Sequence, residues 1–158
     1  MMDSIKNILA PTDLSSLSGK GLVYAGNLAQ TTGAQVIIGH VVPTDEFVSH
    51  ARLLETSYAS AKIEEQLSHL VEKHRQLLHD FATRHLGSTI SNLAVREIVE
   101  MGDPYRLIVE WVKKHAVDLI VMSTHGRSGL PRMMLGSVTE RVLRNAHCPV
   151  LAIPTIEH

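Results

Sequence analysis

The chain has 158 residues and a mass of 17.4 kDa, which is enough for one domain and too little for two independent cores. Hydrophobic residues make up 44% of it and charged residues 20%, a composition that can bury a core and differs from that of disordered chains. The formal net charge of -1 argues against a general binder of nucleic-acid phosphates, because such a protein needs a basic face. We therefore predict a single globular domain over residues 1–158 without a nucleic-acid partner.

The cellular setting is predicted from the N-terminus and from the single cysteine. The first residues show neither a secretory signal nor an apolar span, so we expect a cytoplasmic protein without a membrane partner. Cys148 is the one cysteine of the chain and cannot form an internal disulfide. Its position before an apolar run favours inert packing over reactivity.

Short apolar runs alternate with segments of helical period in the first half of the chain. The run 5–11 is too short for a buried helix and ends in a Pro-Thr-Asp turn, which predicts a strand. The run 35–42 is rich in β-branched residues and predicts a second strand. Apolar residues recur every three or four positions over 16–32 and again over 56–85, and each segment predicts a helix.

The second half repeats this order of elements. Apolar and polar residues alternate over 93–100, which predicts a third strand, and the apolar runs 118–122 and 149–153 predict two more. One helix is predicted to begin at Pro104, in the first helical turn that proline favours, and another over 136–146.

These elements predict an α/β fold, an open and mostly parallel sheet of five strands with helices on both faces. Strands joined by helix-length segments pair in parallel through right-handed crossovers. Such sheets bind ligands beyond the carboxyl ends of their strands. The candidate residues there are Pro11, Thr12 and Asp13 after the first strand, His40 and Val41 at the end of the second, Gly102 and Asp103 after the third, and the segment from Ser123 onward after the fourth.

Plainer roles are open to several of these residues. Asp13 can serve the start of the following helix instead of a ligand. His40 and Val41 can belong to the core. Asp103 is predicted to form a turn before a helix in preference to holding magnesium.

The stretch 122–139 is the most informative part of the chain, because it leaves a strand, passes through a glycine-containing loop and leads into a helix at Gly136 and Ser137. Glycines let the backbone approach a ligand, and the free amides of a helix's first turn attract anions. The hydroxyls of Ser137 and Thr139 can add donors, and Arg127 adds positive charge. This chemistry suits a phosphate group; the alternative is that the glycines only form turns and Ser137 only caps the helix.

Two common phosphate-binding patterns are missing from the sequence. No lysine precedes Ser137 or Thr139, so there is no P-loop, and no G-x-G-x-x-G follows the first strand. The classes of P-loop NTPases and of dinucleotide-binding domains are therefore not supported.

With these residues in view, the chain resembles the universal stress protein family from ILAPTDLSS near its start to CPVLAIP near its end. The nucleotide-binding members of that family carry the pattern G-x2-G-x9-G-[ST]. Gly126, Gly136 and Ser137 match its second half, with nine residues between the two glycines. Ser123 stands where the pattern has its first glycine and adds a side chain where the backbone approaches the ligand.

The resemblance implies a Rossmann-like fold of the adenine nucleotide alpha hydrolase-like kind. It also implies a protein that binds ATP, with Mg²⁺ on the phosphates, and senses the nucleotide without hydrolysing it. It implies adenine near Asp13 and Val41, and phosphates on the loop and the following helix. The residues expected at the nucleotide are Pro11, Thr12, Asp13, Val41, Met122, Ser123, His125, Gly126, Arg127, Gly136, Ser137, Val138 and Thr139. Two alternatives are a very slow ATPase and a nucleotide-free dimer that acts only as an interaction module.

The resemblance also implies a homodimer through the last strand and a regulatory protein as partner. An independent argument favours the dimer, because an apolar strand at the edge of a sheet invites pairing unless the C-terminal tail covers it.

Ten histidines raise the question of a metal site. His69, His74 and His79 are five residues apart, which rotates each from the last by about 140° on a helix, so they cannot share a face. We predict surface or boundary positions for them and no metal ligands. His125 lies in the candidate loop, where shaping the loop is its first expected role, nucleotide contact the second and catalysis the third.

Overall fold

The computed structural model describes residues 4–43, 59–125 and 135–155, without the side chains of residues 59–62. Strands and helices follow one another in these residues as β1 (Asn7–Thr12), α1 (Ser16–Thr32), β2 (Gln35–Val42), α2 (Ala59–Leu86), β3 (Val95–Met101), α3 (Pro104–Lys114), β4 (Leu119–Ser123), α4 (Ser137–Asn145) and β5 (Val150–Ile153). A 3₁₀ helix, Gly87–Asn92, connects α2 to β3.

All pairings between these strands are parallel, and their order across the sheet is β3-β2-β1-β4-β5. The predicted α/β fold with a parallel five-stranded sheet is therefore confirmed. β2 and then β3 lie on one side of β1, and the chain then crosses back to form β4 and β5 on the other side. The switch point between β1 and β4 is where sheets of this kind leave a crevice for ligands.

Helices cover both faces of the sheet. Alternate residues of β1 face opposite layers, since Ile8 packs with α1 and α2 while Leu9 packs with α3 and α4. The first core contains Leu22, Ile38, Leu78 and Phe81, and the second contains Ile37, Trp111, Ile120 and Val142.

The observed elements differ from the predicted ones mainly at their ends. The prediction for α1 and β2 is confirmed residue by residue. β1 begins two residues later than predicted, at Asn7, where its ladder to β2 begins. The 3₁₀ helix was not predicted, and the expected helix start at residue 56 lies outside the described residues. No helix in the described ranges is long and apolar enough to span a bilayer.

Two side chains depart from the sequence pattern. His74 was predicted at the surface or boundary and is only 2% exposed, because it lies one helical turn from both Leu70 and Leu78 on the inner stripe of α2. His69 and His79 are exposed, as predicted. The sequence of the last helix predicts Val138, Val142 and Leu143 on its inner face, but Leu143 is 39% exposed and Val142 is the residue that is fully buried.

Candidate functional site

A cavity of about 280 Å³ opens at the carboxyl edge of the sheet, at the ends of β1, β2 and β4 and the starts of α3 and α4. This volume is near the lower end of the range for ligand cavities, roughly 300–1,000 Å³. Every predicted site residue that the structure describes lines it, namely Pro11, Thr12, Asp13, Val41, Met122, Ser123, His125, Gly136, Ser137, Val138 and Thr139. The two others, Gly126 and Arg127, lie outside the described residues.

The sequence analysis missed one wall of the cavity, formed mainly by α3. Pro104, Ile108 and Trp111 lie on one face of that helix, and Gly39 of β2 lies against them. The indole of Trp111 is fully buried, and a Cβ at position 39 would overlap it, so glycine is required there. The signal that could have identified this wall is the helical spacing of the three α3 residues after a strand end. An apolar lining of this kind suits a base.

A network of short hydrogen bonds fixes the end of β1. Ser18 Oγ donates to the carbonyl oxygen of Ser15 at 2.8 Å, so Thr12 Oγ1, 2.7 Å away, is the donor to Ser18 Oγ. Asp13 Oδ1 accepts from the amide of Ser15 at 3.0 Å and from its hydroxyl at 2.6 Å, and Ser15 caps α1. Asp13 therefore has the helix-start role considered for it and also lines the cavity.

The buried His40 pairs with the carbonyl group of Thr12, and the buried His74 pairs with His40. His40 Nδ1 is 2.9 Å from that carbonyl oxygen, which can only accept, so Nδ1 carries the proton. The Nε2 atom of a neutral His40 is then an acceptor, and His74 Nδ1 donates to it at 2.8 Å. The ring planes lie 12° apart, and both residues are almost fully buried. Of the two roles left open for His40, the core role is the one its contacts show.

Ser123 turns its hydroxyl toward α1. Ser123 Oγ donates to the carbonyl oxygen of Leu17 at 2.8 Å and accepts from the amide of Gly21 at 3.0 Å. These two backbone groups are four residues apart in the helix, and the hydroxyl lies between them. The side chain that replaces the glycine of the nucleotide-binding pattern is thus held by a neighbouring helix.

The first turn of α4 offers main-chain donors to the cavity. The cap residue Gly136 has no side chain to accept from them, and in the described part of the chain the amides of residues 137–139 have no acceptor. The amide of Gly136 itself donates to the carbonyl oxygen of Thr124 at 2.8 Å, and Thr139 Oγ1 donates to that of Ser123 at 3.1 Å. The donors available to a ligand are therefore the main-chain groups of residues 137–139, strengthened by the helix dipole.

His125 adds a ring nitrogen to this region. Its Nδ1 lies 2.9 Å from Thr124 Oγ1 and 3.0 Å from Thr155 Oγ1. Its Nε2 is buried and has no hydrogen-bond partner among the described residues. A buried polar atom of this kind is costly unless a ligand pairs with it. Together with the amides of α4, it indicates a site for an anionic group.

Asp103 has the turn role predicted for it. Its Oδ1 caps α3 by accepting from the amide of Arg106 at 2.9 Å. Its second oxygen lies 3.7 Å from Arg141 Nη1 of α4, whose guanidinium also stacks over the ring of Tyr105 at 4.2 Å. These contacts join the two helices whose starts line the cavity. Within the described ranges, no three His, Cys, Asp or Glu side chains come together as a metal centre.

Comparisons with known proteins agree on one family. The model of the universal stress protein family matches residues 4–154. Universal stress protein MJ0531 of Methanocaldococcus jannaschii is 34% identical over 148 residues, which are 94% of this chain and 81% of that protein. The structure of MJ0577, from the same organism, superposes with a TM-score of 0.78 at 26% identity and covers 99% of this chain and 100% of that one. A universal stress protein solved in complex with cAMP has a TM-score of 0.62 at 20% identity, over 98% and 100% of the two chains.

Proposed function

This chain belongs to the universal stress protein family, and from that premise we propose that it binds ATP in the cavity at the ends of β1 and β4 and acts as a nucleotide sensor of the stress response. The observation that carries the proposal is the first turn of α4. There, the amides of residues 137–139 have no acceptor in the described part of the chain, and no cap side chain competes with a ligand for them. Three such amides at a helix start favour a phosphate group.

The two halves of the cavity suit the two halves of the ligand. The apolar side of the cavity, lined by Val41 and by the buried Ile108 and Trp111, suits adenine, and Asp13 also lines the cavity. The amides of α4 and the ring of His125 offer donors for the phosphates, whose remaining charge Mg²⁺ would share. A universal stress protein of the same fold solved in complex with cAMP, an adenine nucleotide, supports the proposal.

Binding without turnover is the function we propose. Hydrolysis would need a group that positions and deprotonates water next to the γ-phosphate. Asp13 is a carboxylate of the cavity lining, and its Oδ1 already accepts two hydrogen bonds from Ser15. Phosphate release at the background rate, equal in the wild type and in His125→Ala, is the expected result.

We also propose that the protein is a cytoplasmic homodimer whose subunits pair through β5. A regulatory protein would recognise whether nucleotide is bound to it. β5 is an edge strand of the sheet, and its Leu151 is 38% exposed. Leu143 of α4 and Leu135 just before that helix are each 39% exposed. An apolar edge with exposed leucines beside it favours pairing with a second copy.

Thermal unfolding with and without Mg-ATP tests the proposed site. Nucleotide at 100 times its Kd stabilises the folded state by about 2.7 kcal/mol, which raises Tm by roughly 5–10 °C for a domain of this size. Gly136→Val should remove most of this shift, because a Cβ at position 136 already stands 3.3 Å from the carbonyl oxygen of Thr124 and two further methyl groups would narrow the phosphate end.

Gly136→Ala is the matched control, since it adds the Cβ alone and should keep a clear Mg-ATP shift. A wild-type protein that does not respond to millimolar Mg-ATP would favour the nucleotide-free interaction module instead. A Gly136→Val protein that folds and keeps the full shift would show that the phosphates bind elsewhere.

A further inference from the structure

We propose that Thr155 is a positioning residue that holds His125 in the tautomer with its proton on Nε2, so that this nitrogen donates a hydrogen bond to a phosphate oxygen. Thr155 follows β5 and does not line the cavity, whereas His125 does. The proposal rests on the proposed function, in which the cavity binds ATP.

The groups around Nδ1 of His125 influence where the ring proton lies. Both neighbours of this atom in the described ranges are hydroxyls, those of Thr124 at 2.9 Å and Thr155 at 3.0 Å. A hydroxyl can donate to a bare ring nitrogen, and the proton of a neutral imidazole is then on the other nitrogen. His40 is the opposite case in the same molecule, because a carbonyl oxygen faces its Nδ1 and only a protonated Nδ1 can pair with it.

The tautomer matters because a phosphate oxygen only accepts. Nε2 of His125 is buried and has no partner among the described residues, so its protonation state decides what it can bind. With the proton on Nε2, an anionic oxygen satisfies the ring; with the proton on Nδ1, a lone pair would face that oxygen and repel it. In this proposal the hydroxyls donate to Nδ1, which prepares His125 for an anion before the ligand arrives.

Backbone contacts hold Thr155 in place for this role. β5 pairs with β4 up to Ile153 opposite Ser123, and the amide of Thr124 donates to the carbonyl oxygen of Ile153 at 2.9 Å. Thr155 is two residues beyond that bond. The carbonyl oxygen of Thr124 in turn accepts from the amide of Gly136. The hydroxyl of Thr155 thus reaches the ring from a position just beyond a strand that is bonded to the same loop.

Nitrogen NMR of the nucleotide-free, full-length protein tests the tautomer directly. We would record the imidazole resonances of ¹⁵N-labelled protein at about pH 8.5, where ordinary histidines are neutral, and assign His125 by its loss in His125→Gln. We expect the Nε2–H tautomer in the wild type, a shift of population toward Nδ1–H in Thr155→Val, and recovery in Thr155→Ser. Thr31→Val is the matched control, because Thr31 bonds only within α1 and should leave the spectrum unchanged.

Mg-ATP affinity measured on the same proteins completes the test. We expect Kd to rise about tenfold in Thr155→Val and to return in Thr155→Ser. A wild-type His125 with its proton on Nδ1, or a tautomer that Thr155→Val leaves unchanged, would overturn the role of Thr155 whether or not ATP binds. If NMR shows the expected tautomers but the wild type does not bind Mg-ATP, the proposed function is wrong, and so is the hydrogen bond from His125 to phosphate.

Discussion

At the scale of single residues, His85 shows how close packing sets the charge of a side chain. Its ring lies against Gly19 of α1, where a Cβ would overlap it, and 4.3 Å from the ring of Phe81 between centroids. Burial lowers the pKa of His85 below its ordinary value, and the nearby charge of Arg84 lowers it further. Burial is also the main cause that lowers the pKa of His115, with Arg96 and Lys114 adding to it and Glu100 opposing.

These two histidines predict that the protein loses stability in mild acid. The unfolded chain has the ordinary pKa of 6.5, so it takes up protons before the folded state does as the pH falls. Above about pH 6.5 both histidines are neutral in the folded and the unfolded chain, and their contribution to the free energy of unfolding does not change with pH. As the pH falls from there through the lowered pKa values of the folded state, that contribution is lost. Urea unfolding midpoints between pH 8 and pH 5 should therefore decrease with acidity.

His85→Gln isolates one of the two contributions. We expect its stability to fall less steeply than that of the wild type over the same pH range, because no proton is taken up at position 85. His69→Gln is the control, since His69 is exposed on the same helix. Parallel pH profiles for the wild type and His85→Gln would refute the assignment.

Cys148 agrees with its sequence-based interpretation at this scale. Burial raises the pKa of its thiol, with a smaller opposing effect from the backbone of Ile120. A raised pKa keeps the sulfur in the unreactive thiol form at neutral pH. The residue therefore has the character of a packing group.

At the scale of elements, the approach of α1 to β4 positions the floor of the site. Gly21 lets the helix come so close that a Cβ there would stand 2.9 Å from the amide nitrogen of Ser123 and 3.1 Å from the carbonyl carbon of Met122. Both obstacles are backbone atoms of a central strand, which cannot move aside. The hydrogen bonds between Ser123 and α1 depend on this distance.

Gly21→Ala should therefore destabilise the protein by about 1–3 kcal/mol, although alanine is the better helix former, because the helix must shift away from β4. Gly26→Ala in the same helix is the matched control. Its Cβ would overlap the tip of Leu86, a flexible side chain that can give way, and would make an ordinary contact with Leu93. Denaturant midpoints for the two variants should differ clearly. Equal midpoints would mean that the close approach of the α1 backbone to the β4 backbone does not determine the stability of the Gly21→Ala variant.

At the scale of the whole molecule, the two edges of the sheet differ in character. β3 presents exposed charged residues, Arg96 and Glu97, which protect an edge from pairing. β5 presents Leu151, with Leu143 of α4 exposed as well. The apolar edge is the one at which we expect a second copy.

Leu151→Glu should convert the proposed dimer to a monomer, because the negative charge of each copy would face that of the other across a two-fold axis. Sedimentation velocity at micromolar protein measures the change. Leu77→Glu is the control, since Leu77 is 42% exposed on α2, which packs toward the opposite edge. A wild-type protein that sediments as a monomer, or a Leu151→Glu protein that remains a dimer, would contradict the interface.

Local patterns of the sequence determined the order of strands and helices, the parallel sheet and the stretch at which a phosphate group is expected. Periodicity, turn residues and the spacing of Gly136 from Gly126 carry this information, because each depends only on residues near in the chain. The predicted site residues that the structure describes come together in one cavity for the same reason, since parallel strands bring their carboxyl ends to one edge.

Only the tertiary structure decided which side chains face that cavity and which are used elsewhere. The wall with Trp111, the inward turn of His74, the hydroxyl of Ser123 on α1 and the contact of Thr155 with His125 all join residues that are far apart in sequence. Hydrogen-bond direction and close packing depend on distances between such elements, and no local pattern specifies them.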